Sequence, residues 1–278
     1  MSLQTSVLDR IGQVLAAITH ARMAAASILG APDKGIGMTD KKTALVTGAN
    51  KGIGLEIARG LGRIGYTVWI GSRNGNRGEA AAEALRRDDL DARFLALDVT
   101  DDPSVAAAAE TLGREVDRLD VLVNNAGIST GWGPPSDETI ADVRAIYDVN
   151  VFGVIRATHA FLPLLKKSSA PRIVMISSSL GSLAWASDFE APMAEVNLLG
   201  YNSSKSALNG VTVAFAKELA PLGFKVNAGC PGYTATDLNQ HTGSRTPEQG
   251  AAIGIRLATL PDDGPTGGFF DDEGTLAW

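Results

Sequence analysis

From residue 43 to the end of this 278-residue chain, short apolar runs alternate with helix-length segments. The runs are TALVTG (43–48), YTVWIG (66–71), RFLALD (93–98), DVLVNN (120–125), RIVMIS (172–177), FKVNAG (224–229) and GGFF (267–270). Most are continuous Val/Ile/Leu-type stretches, the pattern of a strand covered on both faces. Alternation repeated this often predicts an α/β fold, a doubly wound parallel sheet of about seven strands with helices on both faces. One helix start is readable: in VTDDPSVAAAAETL, Asp102 is suited to cap and Pro103 to the first turn.

No Pro/Ser-rich linker divides residues 38–278, which read as one domain. Residues 1–37 differ. Val7, Leu8, Ile11, Val14, Leu15 and Ile18 form a helical apolar stripe, and Pro32 with three glycines then ends any helix. Asp9 and Arg10 ahead of the longer apolar part that starts at Ile11, and His20 and Arg22 interrupting that part, are wrong for a secretory signal. Met38 opens MTDKKTALVTGAN, which reads like a natural start. The extension is then an accessory helix, a presequence, or a stretch upstream of a misplaced start.

Composition narrows the function. A net charge of −6 disfavours nucleic acid, whose phosphate backbone calls for a basic face. The single cysteine, Cys230, excludes an internal disulfide and fits a reducing compartment, so a cytoplasmic location is expected. No apolar run approaches the ~18 residues of a membrane span. The three His and one Cys form no zinc-type spacing, and no metal site is expected.

Directly after the first run comes TGANKGIG, with Gly48, Gly52 and Gly54. Three glycines at such spacing carry little alone, and GAPDKGIG at 30–37 nearly copies them; that copy follows no strand and contains Pro32. The second copy joins a strand to a helix, LEIARGLGRIG, whose N-terminal N–H groups and dipole suit a dinucleotide diphosphate. The alternative is a glycine turn needed only for packing. After the second strand an NAD-selective site places Asp or Glu for the ribose. Here stand Ser72 and Arg73, and Lys51 in the glycine loop adds a second cation. An Arg–phosphate bond is worth ~1.5–3 kcal/mol, which favours the 2′-phosphate of NADP(H). Otherwise Arg73 is a solvated loop residue.

TGANKGIG, LDVTD, NNAG, ISSSLG, YNSSK and CPGYTATD follow one another in that order. On these motifs the chain resembles the short-chain dehydrogenase/reductase family over residues 43–278, and more narrowly its NADPH-dependent carbonyl reductases. The resemblance implies a single-domain Rossmann-type fold acting on a small carbonyl or alcohol substrate. It assigns Gly48, Asn50, Lys51, Gly52, Ile53 and Gly54 to the cofactor loop. Asp98 and Val99 would meet the adenine end with Arg73 beside it, and Asn125, Ala126 and Gly127 the ribose region. Pro231 and Gly232 would run along the nicotinamide, and Thr236 would reach its carboxamide or the phosphates. Asn124 and Asn125 have a second reading, as braces of the sheet.

The resemblance gives catalysis to Asn150, Ser178, Tyr201 and Lys205. Ser178 is chosen from residues 177–179 because a Ser-x-x-Gly spacing then ends on Gly181; Ser177 and Ser179 stay as alternatives. The chemistry asks for the same set. Hydride delivered to a carbonyl creates an alkoxide that must be stabilised and protonated. Tyr201 would give the proton, with Lys205 one turn along drawing the phenol from its ordinary ~10 towards working pH. Lys205 would also hold the ribose hydroxyls, Ser178 would donate to the carbonyl oxygen, and Asn150 would hold a proton-relay water. The same fold and residues also serve an alcohol dehydrogenase running oxidatively with NADP, and a non-catalytic NADP(H) sensor would share the fold.

Between Ser178 and Tyr201 the chain is longer than is common in the family, and the surplus holds Trp185, Phe189 and Met193. These residues, with Trp132 and Tyr233, are expected at the substrate mouth, or else form local core. The insertion is shorter than the one that obstructs subunit pairing in monomeric carbonyl reductases, so a monomer and a homo-oligomer stay open. Met175 stands where many members have Asn, a change expected to matter little. Cys230 is expected to pack behind the nicotinamide loop.

Overall fold

The predicted runs pair as strands in the computed structural model, which describes residues 41–130, 133–190 and 195–278. Expectations for residues 1–37, Met38, Trp132 and Met193 lie outside the described residues. In chain order come β1 (Thr43–Thr47), α1 (Gly52–Arg63), β2 (Thr67–Ser72), α2 (Gly75–Arg87), β3 (Ala92–Ala96), α3 (Asp102–Glu115) and β4 (Val121–Asn124). Then follow α4 (Ile140–Tyr147), a π-helical turn (Asp148–Phe152), α5 (Gly153–Leu165) and β5 (Arg172–Ile176). A 3-10 turn (Ser179–Gly181) and short α6 (Leu183–Ala186) lead to the long α7 (Leu199–Leu219). The chain ends through β6 (Lys225–Gly229), a 3-10 turn (Asp237–Asn239), α8 (Pro247–Ala258) and β7 (Phe269–Phe270).

All seven strands are parallel, in the order β3-β2-β1-β4-β5-β6-β7. The continuous apolar runs follow from burial on both faces. Leu45, Leu122, Ile173 and Val226 meet Leu112 of α3, Phe161 of α5 and Phe215 of α7. Their neighbours Val46, Val123 and Val174 point the other way, towards Ile57 of α1, Leu85 of α2 and Leu257 of α8. Each such side chain contributes about 1.5–3 kcal/mol by leaving water. Edge strand β3 departs from the pattern: Ala92 and Leu95 are buried while Arg93 lies over the ring of Trp69 at 5.5 Å.

Helix α3 starts one residue earlier than the sequence suggests. Asp101, in extended conformation, accepts from the N–H of Ser104 at 2.8 Å and is the cap. Asp102 is the first helical residue, where its charge suits the helix dipole. The chain runs outward from β1 to β3 and then returns to β4 on the other side of β1. That reversal opens a crevice beyond the carboxyl ends of β1 and β4, the position at which a doubly wound sheet binds ligands.

Candidate active site

A cleft of about 810 Å³ occupies this crevice, walled by the segments that leave β1 to β6. At its floor the glycine loop turns from β1 into α1. Gly48 has φ +63°, and a Cβ there would come within 2.9 Å of the Ala126 Cα. A Cβ on Gly54 would overlap the side-chain amide of Asn125. Lys51 stands at the N-cap of α1 without a side-chain cap bond, and no acid occupies the first turn. The free N–H groups of that turn meet the cleft, whose lining includes Gly48, Asn50, Lys51, Gly52, Ile53 and Gly54. A cradle closed to any side chain, at an uncapped helix start, fits a dinucleotide diphosphate.

Asn125 braces the two strands at the switch point. Its Nδ2 donates to the carbonyls of Thr47 at 2.8 Å and Gly48 at 3.3 Å. The Thr47 hydroxyl accepts from the N–H groups of Asn125 and Ala126, both at 3.0 Å. Asn124 is buried behind it, donating to Thr158 Oγ1 at 3.1 Å and to the Met175 sulfur at 3.3 Å. Its Oδ1 is buried with no partner. Met175 accepts from the Asn124 amide, and as a thioether it does not donate to the Asn124 carbonyl.

The wall beyond β2 and β3 carries Ser72, Arg73, Asp98 and Val99. Burial pushes Asp98 up, but bonds from the Thr100 N–H (3.0 Å) and hydroxyl (2.7 Å), with the charge of Arg73, hold it below the ordinary carboxylate value. Lys51 does not stand free beside Arg73. Its ammonium is paired with Asp237, which also accepts from His241 Nε2 at 2.8 Å. The pair thus ties the glycine loop to the segment that follows β6.

At the other end, α7 brings up Tyr201 and Lys205. Lys205 is 4% exposed, its Nζ donates to the Ile176 carbonyl at 2.8 Å, and it lies 5.6 Å from the Tyr201 ring centre. Burial pulls Lys205 down to about 8. Burial also pushes the Tyr201 phenol up to about 12, against the lowering influence of the Ser178 hydroxyl. The spacing of Tyr201 and Lys205 suggested the opposite direction for the phenol. Loss of water around the hydroxyl outweighs a lysine whose ammonium is turned to a carbonyl.

The three serines separate in space. The Ser177 hydroxyl is buried and donates to Asn209 Oδ1 at 2.6 Å, and Ser179 uses its N–H on Cys230 Sγ at 3.2 Å. Ser178 is the one that meets the phenol. Cys230 is buried with Ala228, Phe269 and Leu276, and its sulfur meets this loop from below. Asn150 sits in the π-helical turn. Its Oδ1 accepts from the Ile128 N–H at 2.9 Å, and its Nδ2 donates to the Ile128 carbonyl at 2.9 Å and to Ser204 Oγ at 3.0 Å. Both amide hydrogens are therefore engaged by protein. Gly127 lies between the two groups: a Cβ there would be 3.4 Å from Asn150 Oδ1 and 3.6 Å from Lys205 Nζ.

Pro231, Gly232, Tyr233 and Thr236 close the cleft from above. Thr236 stands over the glycine loop, with its Cγ2 3.5 Å from where a Gly52 Cβ would be. Tyr233 shares a 2.6 Å hydroxyl bond with Thr242. Leu180 of the 3-10 turn, and Val196 and Leu198 from the insertion, reach the wall. Trp185 and Phe189 are not part of that wall, and at 45% and 86% exposure they do not form local core. The sequence reading passed over Asn209 and Asp237. Asn209 continues the one-turn spacing of Tyr201 and Lys205, which is a readable cue; the Asp237 pairing has no local one.

Chemically, the arrangement sets a protonated phenol, a second hydroxyl and a buried amine at one end of a cleft whose other end is an anion cradle. The chain as a whole is similar to known proteins. The profile of the short chain dehydrogenase family matches residues 42–247. A (+)-neomenthol dehydrogenase of Arabidopsis thaliana is 37% identical, with 82% of this chain and 95% of that protein covered. The structure of salutaridine reductase from Papaver somniferum superposes with TM-score 0.73 at 30% identity, covering 84% of this chain and all of that one. An NADPH-bound carbonyl reductase from chicken fatty liver superposes with TM-score 0.75 at 28% identity, over 86% of this chain and 100% of that one.

Proposed function

The chain belongs to the short-chain dehydrogenase family, an oxidoreductase of carbonyl and alcohol groups, and on that premise we propose that it reduces a ketone or aldehyde with NADPH. The observation that carries the reading is the convergence of Tyr201, Ser178 and Lys205 at one end of a cleft that begins in a glycine cradle. A nicotinamide bound in the cleft supplies the hydride. Tyr201 Oη gives its proton to the nascent alkoxide oxygen, and Ser178 Oγ donates a hydrogen bond to the same oxygen. A phenol held protonated is the form reduction needs; oxidation needs the phenolate, which burial opposes. Lys205 would hold the ribose, and with its proton held near pH 8 it can pass one towards the phenol. Asn150 would hold the relay water beside it.

Arg73, with no acid after β2, favours the 2′-phosphate over a bare ribose. Asn50, Gly52, Ile53 and Gly54 would line the diphosphate, Asp98 and Val99 the adenine, and Asn125, Ala126 and Gly127 the ribose side. Pro231, Gly232 and Thr236 would cover the other half. The wall of Ile128, Leu180, Val196 and Leu198 suits an apolar carbonyl compound.

The test compares NADPH and NADH consumption over a panel of ketones, aldehydes and quinones, with Tyr201→Phe as control. NADPH is expected to be preferred, and Tyr201→Phe to lose about 100- to 10,000-fold in kcat with NADPH binding intact. Turnover in Tyr201→Phe within about tenfold of the parent would remove the acid from the mechanism.

A further inference from the structure

Asn209 is a buried amide that the chemistry above does not use. It is 4% exposed, in the interior of α7, where an inward-facing position normally takes an apolar residue and Asn is a poor helix former. It stands one turn beyond Lys205 and two beyond Tyr201, on the same face. Its Oδ1 accepts the Ser177 hydroxyl at 2.6 Å, and its Nδ2 donates to the Gly181 carbonyl at 3.1 Å. Those two partners bracket Ser178 in the chain. The loop they define rests directly on the helix: a Cβ at Gly181 would lie 2.6 Å from the Lys205 carbonyl carbon and 2.7 Å from its Cβ.

Backbone N–H groups of this loop tie it to β6 and the residue after it, and the Lys205 ammonium of α7 meets the chain at Ile176, just before the loop. The Ser177 N–H donates to the Gly229 carbonyl at 2.8 Å, and the Ser179 N–H to Cys230 Sγ. These N–H bonds hold the loop to the β6 side. Asn209 joins it to α7 by both ends, and the join needs one acceptor and one donor on a single planar group. Leucine supplies neither, and an ionised aspartate only accepts.

We propose that Asn209 is a positioning residue for Ser178: it clamps residues 177–181 onto the helix that carries Tyr201 and Lys205. It thereby sets the separation of the Ser178 and Tyr201 hydroxyls, both of which must reach one substrate oxygen. The inference rests on the roles given to those two residues above. Its leverage is geometric, since a displacement of about 1 Å between reacting groups can cost about 100-fold in rate.

The experiment is a double-mutant cycle on the full-length protein with the best substrate of the panel: parent, Asn209→Ala, Ser178→Ala and the pair. Asn209→Ala is expected to lower kcat by about 10- to 100-fold while NADPH affinity holds. In the Ser178→Ala background the same change should add almost nothing, because the group it positions is gone. Losses that multiply would mean that Asn209 acts on the helix at large, and an unchanged kcat in Asn209→Ala would end the proposal outright. A Ser178→Ala variant with full turnover would instead sink the reading of Ser178 itself. Should Asn209→Ala fail to fold, Ser177→Ala releases one arm of the clamp from the other side. Its smaller kcat loss must likewise vanish in the Ser178→Ala background, and a loss that persists there overturns the clamp.

Discussion

The two ends of the cleft hold their residues by different means. At the glycine-loop end the work is done by backbone: N–H groups of α1, close approaches at Gly48 and Gly54, and carbonyls tied by Asn125. The charges there, Arg73 and Lys51, are exposed on the rim. At the reaction end the work is done by buried side chains held by hydrogen bonds: Lys205 on the Ile176 carbonyl, Asn150 on the Ile128 backbone and the Ser204 hydroxyl, Ser177 on Asn209. The first arrangement should tolerate altered charge and report it as affinity. The second should be brittle and report damage as lost turnover.

The harshest break of that contrast is Gly181→Ala. Its methyl would meet Lys205 backbone atoms at 2.6 and 2.9 Å, so the Ser178 loop or α7 has to move. We expect about a 100-fold loss in kcat with NADPH affinity nearly kept, plus about 1–3 kcal/mol of stability. Steady-state kinetics beside a cofactor titration separate the two. A loss confined to affinity would mean that the ends are not independent.

Next in size is a pH effect. Lys205 falls to about 8 in the fold from 10.5 in the open chain. Between those values the unfolded chain holds a proton that the folded chain does not, so stability rises with pH across that window. Tyr201 runs the other way: the fold keeps its proton up to about 12, so stability falls as pH climbs from 10.0 towards that value. Lys205→Met removes the first trend. The unfolding free energy of the parent relative to Lys205→Met should therefore grow by up to about 3 kcal/mol as pH rises through the lysine window. Urea titrations at stepped pH measure it, and a flat difference would mean a charged lysine in the folded cofactor-free protein.

Arg73→Ala addresses the rim of the other end. Loss of one charge-assisted bond to a phosphate, about 1.5–3 kcal/mol, should weaken NADPH about 10- to 100-fold, leave NADH alone and spare kcat at saturation. Equal weakening of both cofactors would make Arg73 an ordinary solvated residue and remove the case for the phosphate.

What was legible in the sequence follows the same division. The seven strands and the glycine loop are local signals, continuous apolar runs and glycines that a turn enforces, and each stood where expected to within a residue or two. Between adjacent Asp101 and Asp102, only backbone conformation decides which one caps. The brittle end was legible as a set of residue types but not as an environment. The spacing of Tyr201 and Lys205 says nothing of how much water surrounds a phenol, and burial reversed the expected direction. Asn209 reaches partners 32 and 28 positions away. Trp185 and Phe189 looked like wall or core because apolar residues usually are; here they are exposed, and Leu180, Val196 and Leu198 line the wall instead.

The smallest effect tests a contact within the glycine-loop end, the ion pair of Lys51 with Asp237 in the segment above it, 186 positions on. Both side chains are about half exposed, at 53% and 55%, so the pair itself is worth at most about 1 kcal/mol. Its leverage is on charge: Lys51 lies beside the proposed phosphate site and Asp237 holds it away. Asp237→Asn should free the ammonium, tighten NADPH by up to about fivefold, and leave kcat unchanged. The gain should shrink as salt rises, because exposed charges are screened. In the 3-10 turn that Asp237 begins, the Thr236 N–H donates to Asn239 Oδ1 at 3.1 Å, a bond the substitution does not touch. Weaker binding in Asp237→Asn would reverse the assignment, making the pair a latch that holds the upper segment over the cofactor and not a competitor for its phosphate.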